Sequence, residues 1–260
     1  MPEPIRTRRD GAVLEVVLDR PKANAIDLAT SRLMGETFAA FRDDPELRVA
    51  LLRAAGEKFF SAGWDLKAAA GGDAVDGDYG VGGFGGLQEL RDLDKPVVVA
   101  VNGICCGGGL ELALSADIVL ASSAATFALP EIRSGTVADA ASIKLPKRIP
   151  YHVAMEMLLT GRWLDADEAQ RWGFVNRLHP LEELHGAALT LARELAAGPP
   201  LVQAAIKEIV RDAEGSRFQD AMNRVTRRQL GTVDRLYASE DNLEGARAFA
   251  DKRDPVWKGR

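Results

Sequence analysis

The apolar positions of this chain fall into short runs whose spacing changes from place to place. Between Val13 and Leu18 every residue but Glu15 is apolar, and Asp19-Arg20-Pro21 follows. Proline has no N–H for a sheet ladder, so the pattern predicts a first strand over 13–18 closed by a loop. From Thr30 to Phe41 the side chains Leu33, Met34, Thr37, Phe38 and Phe41 recur every three or four residues. That spacing lines one face of a helix, which Asp43-Asp44-Pro45 stops. Val49–Leu52 and Val97–Val101 read as short buried strands. The second runs into Asn102-Gly103 and Gly107-Gly108-Gly109, then a helical Leu110–Ala116 and an apolar Ile118–Ala121. Alternating strand and helix signals predict an α/β fold.

The stretch Ala70–Gly86 breaks the pattern, with eight glycines in seventeen residues and several aspartates. It predicts a mobile loop without a regular element. From Ala154 onward the chain reads as helical, with Asp165–Arg171, Leu181–Ala197, Leu201–Ala213 and Ser216–Leu230 as successive helices. No internal repeat is visible.

Charge and cysteine usage narrow the classes of function. The chain has 260 residues, enough for one large domain, and its 33 Lys plus Arg against 38 Asp plus Glu give a net charge of −5. No basic excess is available to follow a phosphate backbone, so nucleic acid is not expected as a partner. The two cysteines, Cys105 and Cys106, are adjacent, which suits neither a structural zinc site nor a disulfide framework and fits a reducing compartment. Met1–Asp10 carries no apolar signal region, so a cytoplasmic location is expected. The most apolar stretch, Val97–Ala121, is interrupted by Asn102, Glu111, Ser115 and Asp117, which argues for buried core rather than a membrane span.

Candidate chemistry gathers around the triple glycine. Between a strand and a helix, its backbone N–H groups can face an anion, or the glycines can simply relieve a tight turn. It is neither a Walker loop nor a dinucleotide fingerprint. Glu111 sits in the first turn of the following helix, among Leu110, Leu112, Ala113 and Leu114. It can complement the helix dipole or act as a general acid or base. Glu131 has the same ambiguity: Pro130-Glu131 reads as an ordinary helix start, yet it follows the apolar Phe127-Ala128-Leu129. Two carboxylates in dry surroundings have different proton affinities, so one can accept while the other donates. The small residues of Ser61-Ala62-Gly63-Trp64-Asp65 would let backbone approach a ligand. The histidines His152, His179 and His185 and the absence of a Gly-x-Ser-x-Gly elbow argue against a serine or cysteine hydrolase.

Together these residues resemble the enoyl-CoA hydratase, or crotonase, family. The resemblance covers nearly the whole chain, through Leu18-Asp19-Arg20-Pro21-Lys22-Ala23-Asn24-Ala25, Ser61-Ala62-Gly63-Trp64-Asp65-Leu66, Asn102-Gly103, Gly107-Gly108-Gly109-Leu110-Glu111, Phe127-Ala128-Leu129-Pro130-Glu131 and Thr160-Gly161-Arg162 to Gly173-Phe174-Val175-Asn176. It implies a crotonase-like (ClpP/crotonase) α/β spiral of ββα units over residues 1–195. A C-terminal helical region over 196–260 would mediate a homotrimer or hexamer. The implied reaction is reversible syn hydration of an enoyl-CoA thioester; double-bond isomerisation, thioester hydrolysis and an RNA-binding relative are the alternatives. By the resemblance, N–H groups at Ala62 and Gly108 hold the thioester oxygen, each such donor being worth about 10²- to 10³-fold in rate. Glu131 protonates the α-carbon, and Glu111 orients and deprotonates the water added at the β-carbon. Lys22, Ala23, Trp64, Asp65, Leu66, Asp139 and Lys252 fall along the acyl-CoA. No metal or redox cofactor is implied, since the thioester is the electron sink and coenzyme A belongs to the substrate.

One segment departs from the family. Where the family commonly has Pro and then Gly-Ala-Gly-Gly or Asp-Ser-Gly-Gly, this chain has Val137-Ala138-Asp139-Ala140-Ala141-Ser142. The added Cβ atoms are expected to narrow the pocket floor or to shift the N–H that positions water. A narrower likeness at Lys58–Ala70 and Lys252–Arg260 implies an acyl group ending in trimethylammonium. That cation cannot donate hydrogen bonds, and Trp64, Tyr79 and Phe84 are the aromatic faces expected to meet it.

Overall fold

The computed structural model describes residues 3–72, 74 and 76–260. In chain order the first half comprises β1 (Ile5–Asp10), β2 (Val13–Leu18), α1 (Leu28–Asp43), β3 (Val49–Ala54), β4 (Phe59–Ser61), α2 (Leu66–Ala70), β5 (Val97–Val101), β6 (Ile104–Cys106) and α3 (Gly108–Ala113). The second half comprises β7 (Ile118–Ser122), β8 (Thr126–Ala128), α4 (Glu131–Ser134), α5 (Asp139–Lys144), α6 (Tyr151–Thr160), β9 (Trp163–Asp165), α7 (Ala166–Arg171), β10 (Arg177–His179), α8 (Leu181–Ala197), α9 (Pro200–Ala213), α10 (Phe218–Thr226), α11 (Gly231–Ala238) and α12 (Glu244–Asp251).

Two sheets share these strands. The larger runs β1-β2-β3-β5-β7-β10 and the smaller β4-β6-β8-β9. All pairings are parallel except β1 with β2 and β8 with β9. The chain visits the large sheet, then the small one, then a helix, three times over: β3-β4-α2, β5-β6-α3 and β7-β8-α4. That is a ββα spiral. Each turn delivers the C-terminal end of a small-sheet strand to one side of the molecule, where α2, α3 and α4 begin.

The inner strands of the large sheet, β2, β3, β5 and β7, are covered on both faces, which is why they read as largely apolar runs. Leu14, Val16, Leu52, Val99 and Val101 face the spiral interior with Phe38, Phe60 and Phe127. Val13, Val49, Leu51, Val98 and Leu120 face outward under Leu184, Ala188, Leu189 and Ala192 of α8. Glu15, 2% exposed on β2, is neutralised by Arg53 at 2.6 Å and meets His185 of α8 at 2.7 Å.

The helices α8 and α9 match the expected spans to within a residue, and α1 extends from Leu28 because Asp27 caps it, accepting the Thr30 N–H at 2.8 Å. Two expectations are corrected. Ser216–Leu230 is not one helix: Arg228 takes a left-handed φ of 53°, and the chain turns so that Leu230 is buried with Ala205 and Val233. The Gly-rich segment is not loose throughout, although its Asp73 and Val75 lie outside the described residues. Gly82, Gly83, Gly85 and Gly86 are buried, Phe84–Gly86 forms a 3₁₀ turn against α1, and a Cβ on Gly86 would lie 2.4 Å from the Gly35 nitrogen. Those glycines permit close packing. After Ala197 every regular element is helical, and among the described residues no helix is long and apolar enough to cross a membrane.

Candidate active site

Backbone forms one side of the site. Gly63 has φ +82°, and a Cβ there would lie 2.6 Å from the Gly108 nitrogen and 2.8 Å from the Cys106 carbonyl oxygen. The loop after β4 therefore touches the start of α3 with no room for a side chain. The resemblance placed an oxyanion donor at Ala62, and the geometry corrects this. The Ala62 N–H already donates to the Ala23 carbonyl at 3.0 Å. Ile26 N–H donates to the Gly63 carbonyl at 2.7 Å and Asp65 N–H to the Ile26 carbonyl at 2.9 Å, a parallel bridge from which Trp64 N–H points away. Trp64 N–H and Gly108 N–H have no hydrogen-bond partner among the described residues. Gly108 is the first residue of α3, where N–H groups are unpaired by construction. Trp64 and Gly108 thus present two free N–H groups on the adjoining segments, among the described residues. Strand pairing, invisible in the motif, decides which N–H in Ala62-Gly63-Trp64 is left over.

Phe84 packs on this feature. A Cβ on Gly108 would fall 2.3 Å from its ring, and Tyr79 meets that ring edge-on with centroids 5.4 Å apart. Trp64 is partly buried, its indole nitrogen unpartnered among the described residues. All three aromatics named from sequence therefore stand at or beside the two free donors.

Side chains form the other side. Glu111 is 6% exposed on α3, and its Oε1 accepts the Ala141 N–H at 2.9 Å. The departing segment thus opens a helix after all: Ala138 and Ala141 bury their Cβ atoms in the main core, and the N–H of Ala141 holds Glu111. Glu131 begins α4, and its Oε1 would lie 2.8 Å from a Cβ on Gly107. Its carboxyl lies over the triple glycine, with Oε2 buried and unpartnered among the described residues. Burial drives Glu111 up to about 7, reinforced by the charges of Glu131 and Asp139 against the Ala141 hydrogen bond. Glu131 is also raised, chiefly by burial and further by the charge of Asp139, against a hydrogen bond from its own backbone. Cys106, beside Glu131, is pushed up to about 11, chiefly by burial, and stays a thiol. Asp139 itself is exposed and accepts the Ala140 N–H at 2.7 Å.

Of the other expected contacts, Lys22 and Ala23 lie beside Ala62–Asp65 through the Ala23–Ala62 bond and through Arg20. That residue was missed from sequence: it reaches Asp65 and Asp27, the N-caps of α2 and α1, at 2.5 Å each. Asp65 is consequently occupied as a cap and ion-pair partner, while Leu66 is exposed. Lys252 is exposed at the end of α12, and no hydrogen bond or ion pair ties it to these residues.

This arrangement, two free backbone donors opposite two carboxyls that burial holds toward their protonated forms, is what enolate chemistry on a thioester requires. The chain matches the enoyl-CoA hydratase/isomerase family over residues 8–260. It is 52% identical to the carnitinyl-CoA dehydratase of Salmonella agona over 261 residues, covering 100% of both chains. It superposes on the enoyl-CoA hydratase of Mycobacterium tuberculosis with a TM-score of 0.89, at 36% identity and 99% coverage of each chain. The carnitinyl-CoA hydratase of Mycobacterium avium gives a TM-score of 0.78, at 36% identity and 100% coverage of each. The chain belongs to the enoyl-CoA hydratase/isomerase family. As the names of those relatives indicate, it is an enzyme of the hydro-lyase class.

Proposed function

We propose that this enzyme interconverts a β-hydroxyacyl-CoA and the corresponding enoyl-CoA plus water, and that its acyl group is carnitinyl in one direction and crotonobetainyl in the other. The observation that carries the reaction is the carboxyl pair: Glu111 and Glu131, both pushed toward their protonated forms by burial, beside two backbone N–H groups without a partner among the described residues. In dehydration the Trp64 and Gly108 N–H groups hold the thioester oxygen as negative charge develops there. Glu131 removes the α-proton, the β-carbon–oxygen bond breaks, and Glu111 gives its proton to the departing hydroxide. Hydration is the reverse: Glu111 takes a proton from water as its oxygen joins the β-carbon, and Glu131 protonates the α-carbon on the same face.

Burial pushes both carboxyls toward their protonated forms, so the pair holds a proton to higher pH than exposed carboxylates would. Glu131 ionised with Glu111 protonated is the state that dehydration consumes. The thioester is itself the electron sink, so the chemistry calls for no metal or redox group, and coenzyme A arrives as part of the substrate. Lys22, Ala23, Leu66 and the main chain at Asp65 are the proposed surface for it, with Lys252 a further phosphate contact. The carnitinyl acyl group is supported by the 52% identical relative and by the aromatic faces of Trp64, Tyr79 and Phe84 beside the donors. A homotrimer or hexamer is supported by apolar side chains exposed on the C-terminal helices, including Ile206, Val210, Phe218 and Phe249; sedimentation as a monomer at micromolar concentration contradicts it. A cytoplasmic location is supported by two free cysteines. The reaction is tested by incubating the protein with a panel of enoyl-CoA thioesters, crotonobetainyl-CoA included, and identifying products. A β-hydroxyacyl-CoA is expected; a shifted double bond or free coenzyme A overturns the reading.

A further inference from the structure

The strongest feature outside the groups already given a role is Lys144. It is the last residue of α5, the helix whose Ala141 N–H holds Glu111. Its Nζ donates to the Ser115 hydroxyl at 2.8 Å, and that hydroxyl donates to the main-chain carbonyl of Glu111 at 2.9 Å. One helix therefore grips Glu111 at two points, its carboxyl through Ala141 and its backbone through Lys144 and Ser115. No carboxylate lies within ion-pair distance of Lys144 among the described residues. Its neighbours elsewhere are already paired, Lys147 and Arg148 with Glu214, and Lys207 with Asp117.

We propose that Lys144 is a positioning residue, holding Glu111 through Ser115 and supplying the cation that favours the ionised form of its carboxyl. The proposal rests on the reading above that Glu111 handles the proton of the added or departing water. Glu111 faces Glu131 of α4 and Asp139 at the start of α5, both of which oppose its ionisation. Lys144 faces Glu111, Glu89 and Glu214, which favour its charge, and Arg148, which opposes it; burial opposes it most. Three carboxyls thus crowd one end of the site, and the amine of Lys144 is a nearby cation with no ion-pair partner among the described residues. Its groove, about 500 Å³ and shared with Gln88, Leu114, Ile143 and Ile206, keeps the amine half-buried, where its field is poorly screened.

A nearby cation lowers the pKa of a carboxyl, so its removal lets Glu111 keep its proton to higher pH. The working enzyme holds one proton on the carboxyl pair, so the alkaline limb of the kcat/KM profile marks the loss of that proton. The experiment is the pH profile of hydration of crotonobetainyl-CoA by the full-length protein and by Lys144→Met, Lys144→Gln, Lys144→Arg and Glu111→Gln. In Lys144→Met and Lys144→Gln the alkaline limb is expected to move up by about 0.5 to 1 pH unit, the low end for a neighbouring charge. Lys144→Arg is expected to keep it where the wild type has it. Neutral variants that stay folded with an unmoved limb overturn the proposal, and so does an arginine variant that behaves like methionine. Failure of both neutral variants to fold also overturns it, since the amine would then support the fold and not the proton. The Glu111→Gln arm is separate: full activity there overturns the reading of Glu111, whatever Lys144 does.

Discussion

The two sides of the site are built on different principles. The oxyanion side is main chain, made by strand pairing and by glycines too tightly packed to change. The carboxylate side is side chain, hung from the two short helices α3 and α4 and steadied by α5, whose Ala141 N–H holds Glu111. The glycines of the first side accept no side chain because there is no space. The second tolerates substitution wherever an N–H remains in position, since an alanine N–H serves as well as a glycine one.

The largest effect expected from breaking this division comes from the carboxylate side. Glu131→Gln removes the group that exchanges a proton with the α-carbon while keeping its size, and turnover should fall by about 10² to 10⁴ with acyl-CoA binding retained in calorimetry. Near-normal turnover would remove Glu131 from the mechanism. On the backbone side, Gly63→Ala must move a Cβ that would sit 2.6 Å from the Gly108 nitrogen. Displacing the donors should cost about 10²- to 10³-fold in kcat; a folded, fully active variant would place the oxyanion donors elsewhere.

How far each side was legible in the sequence follows from the same contrast. The long strands, α1, α8 and α9 declared themselves, because their burial needs an unbroken or 3.6-residue apolar pattern. The strands β4, β6, β8 and β9 have three residues each, too few for any period to register. The first strand, Ile-Arg-Thr-Arg-Arg-Asp, hid because it is an edge strand with charged side chains in solvent. Glu111 and Glu131 could be named from motif and apolar flanks, but not their convergence over the triple glycine. Ala62 was wrong because a free N–H is what remains after all others are paired, and pairing is a tertiary property. Lys144 gave no signal: a lysine near the end of an amphipathic segment is usually just solvated.

Smaller effects sharpen the comparison. With crotonobetainyl-CoA and crotonyl-CoA as competing substrates, Trp64→Leu keeps the main-chain donor but loses the ring. The preference for the cationic substrate should drop by about 0.5 to 2 kcal/mol in kcat/KM ratio, the range for a cation–π contact. A wild-type preference for crotonyl-CoA would leave a general hydratase and remove the carnitinyl substrate. The smallest effect concerns stability. Glu111, raised to about 7 by burial, favours the folded state while protonated, and its contribution declines as pH rises from the unfolded carboxyl range through 7. Glu111→Gln should therefore melt higher than wild type at pH 8, by about 2–4 °C for each kcal/mol relieved, and the gap should close near pH 4. A gap that does not change with pH would mean that Glu111 is not buried as a charge.

The division of labour between the carboxyls, Glu131 on carbon and Glu111 on oxygen, is tested most directly by hydrogen exchange without water addition. A saturated thioester such as 4-trimethylammoniobutanoyl-CoA offers an α-proton and no double bond, and its exchange in deuterium oxide is read by mass spectrometry. Wild type and Glu111→Gln should both incorporate one deuterium at the α-carbon, and Glu131→Gln should incorporate none. Exchange that survives in Glu131→Gln and disappears in Glu111→Gln would contradict the account by reversing the two roles.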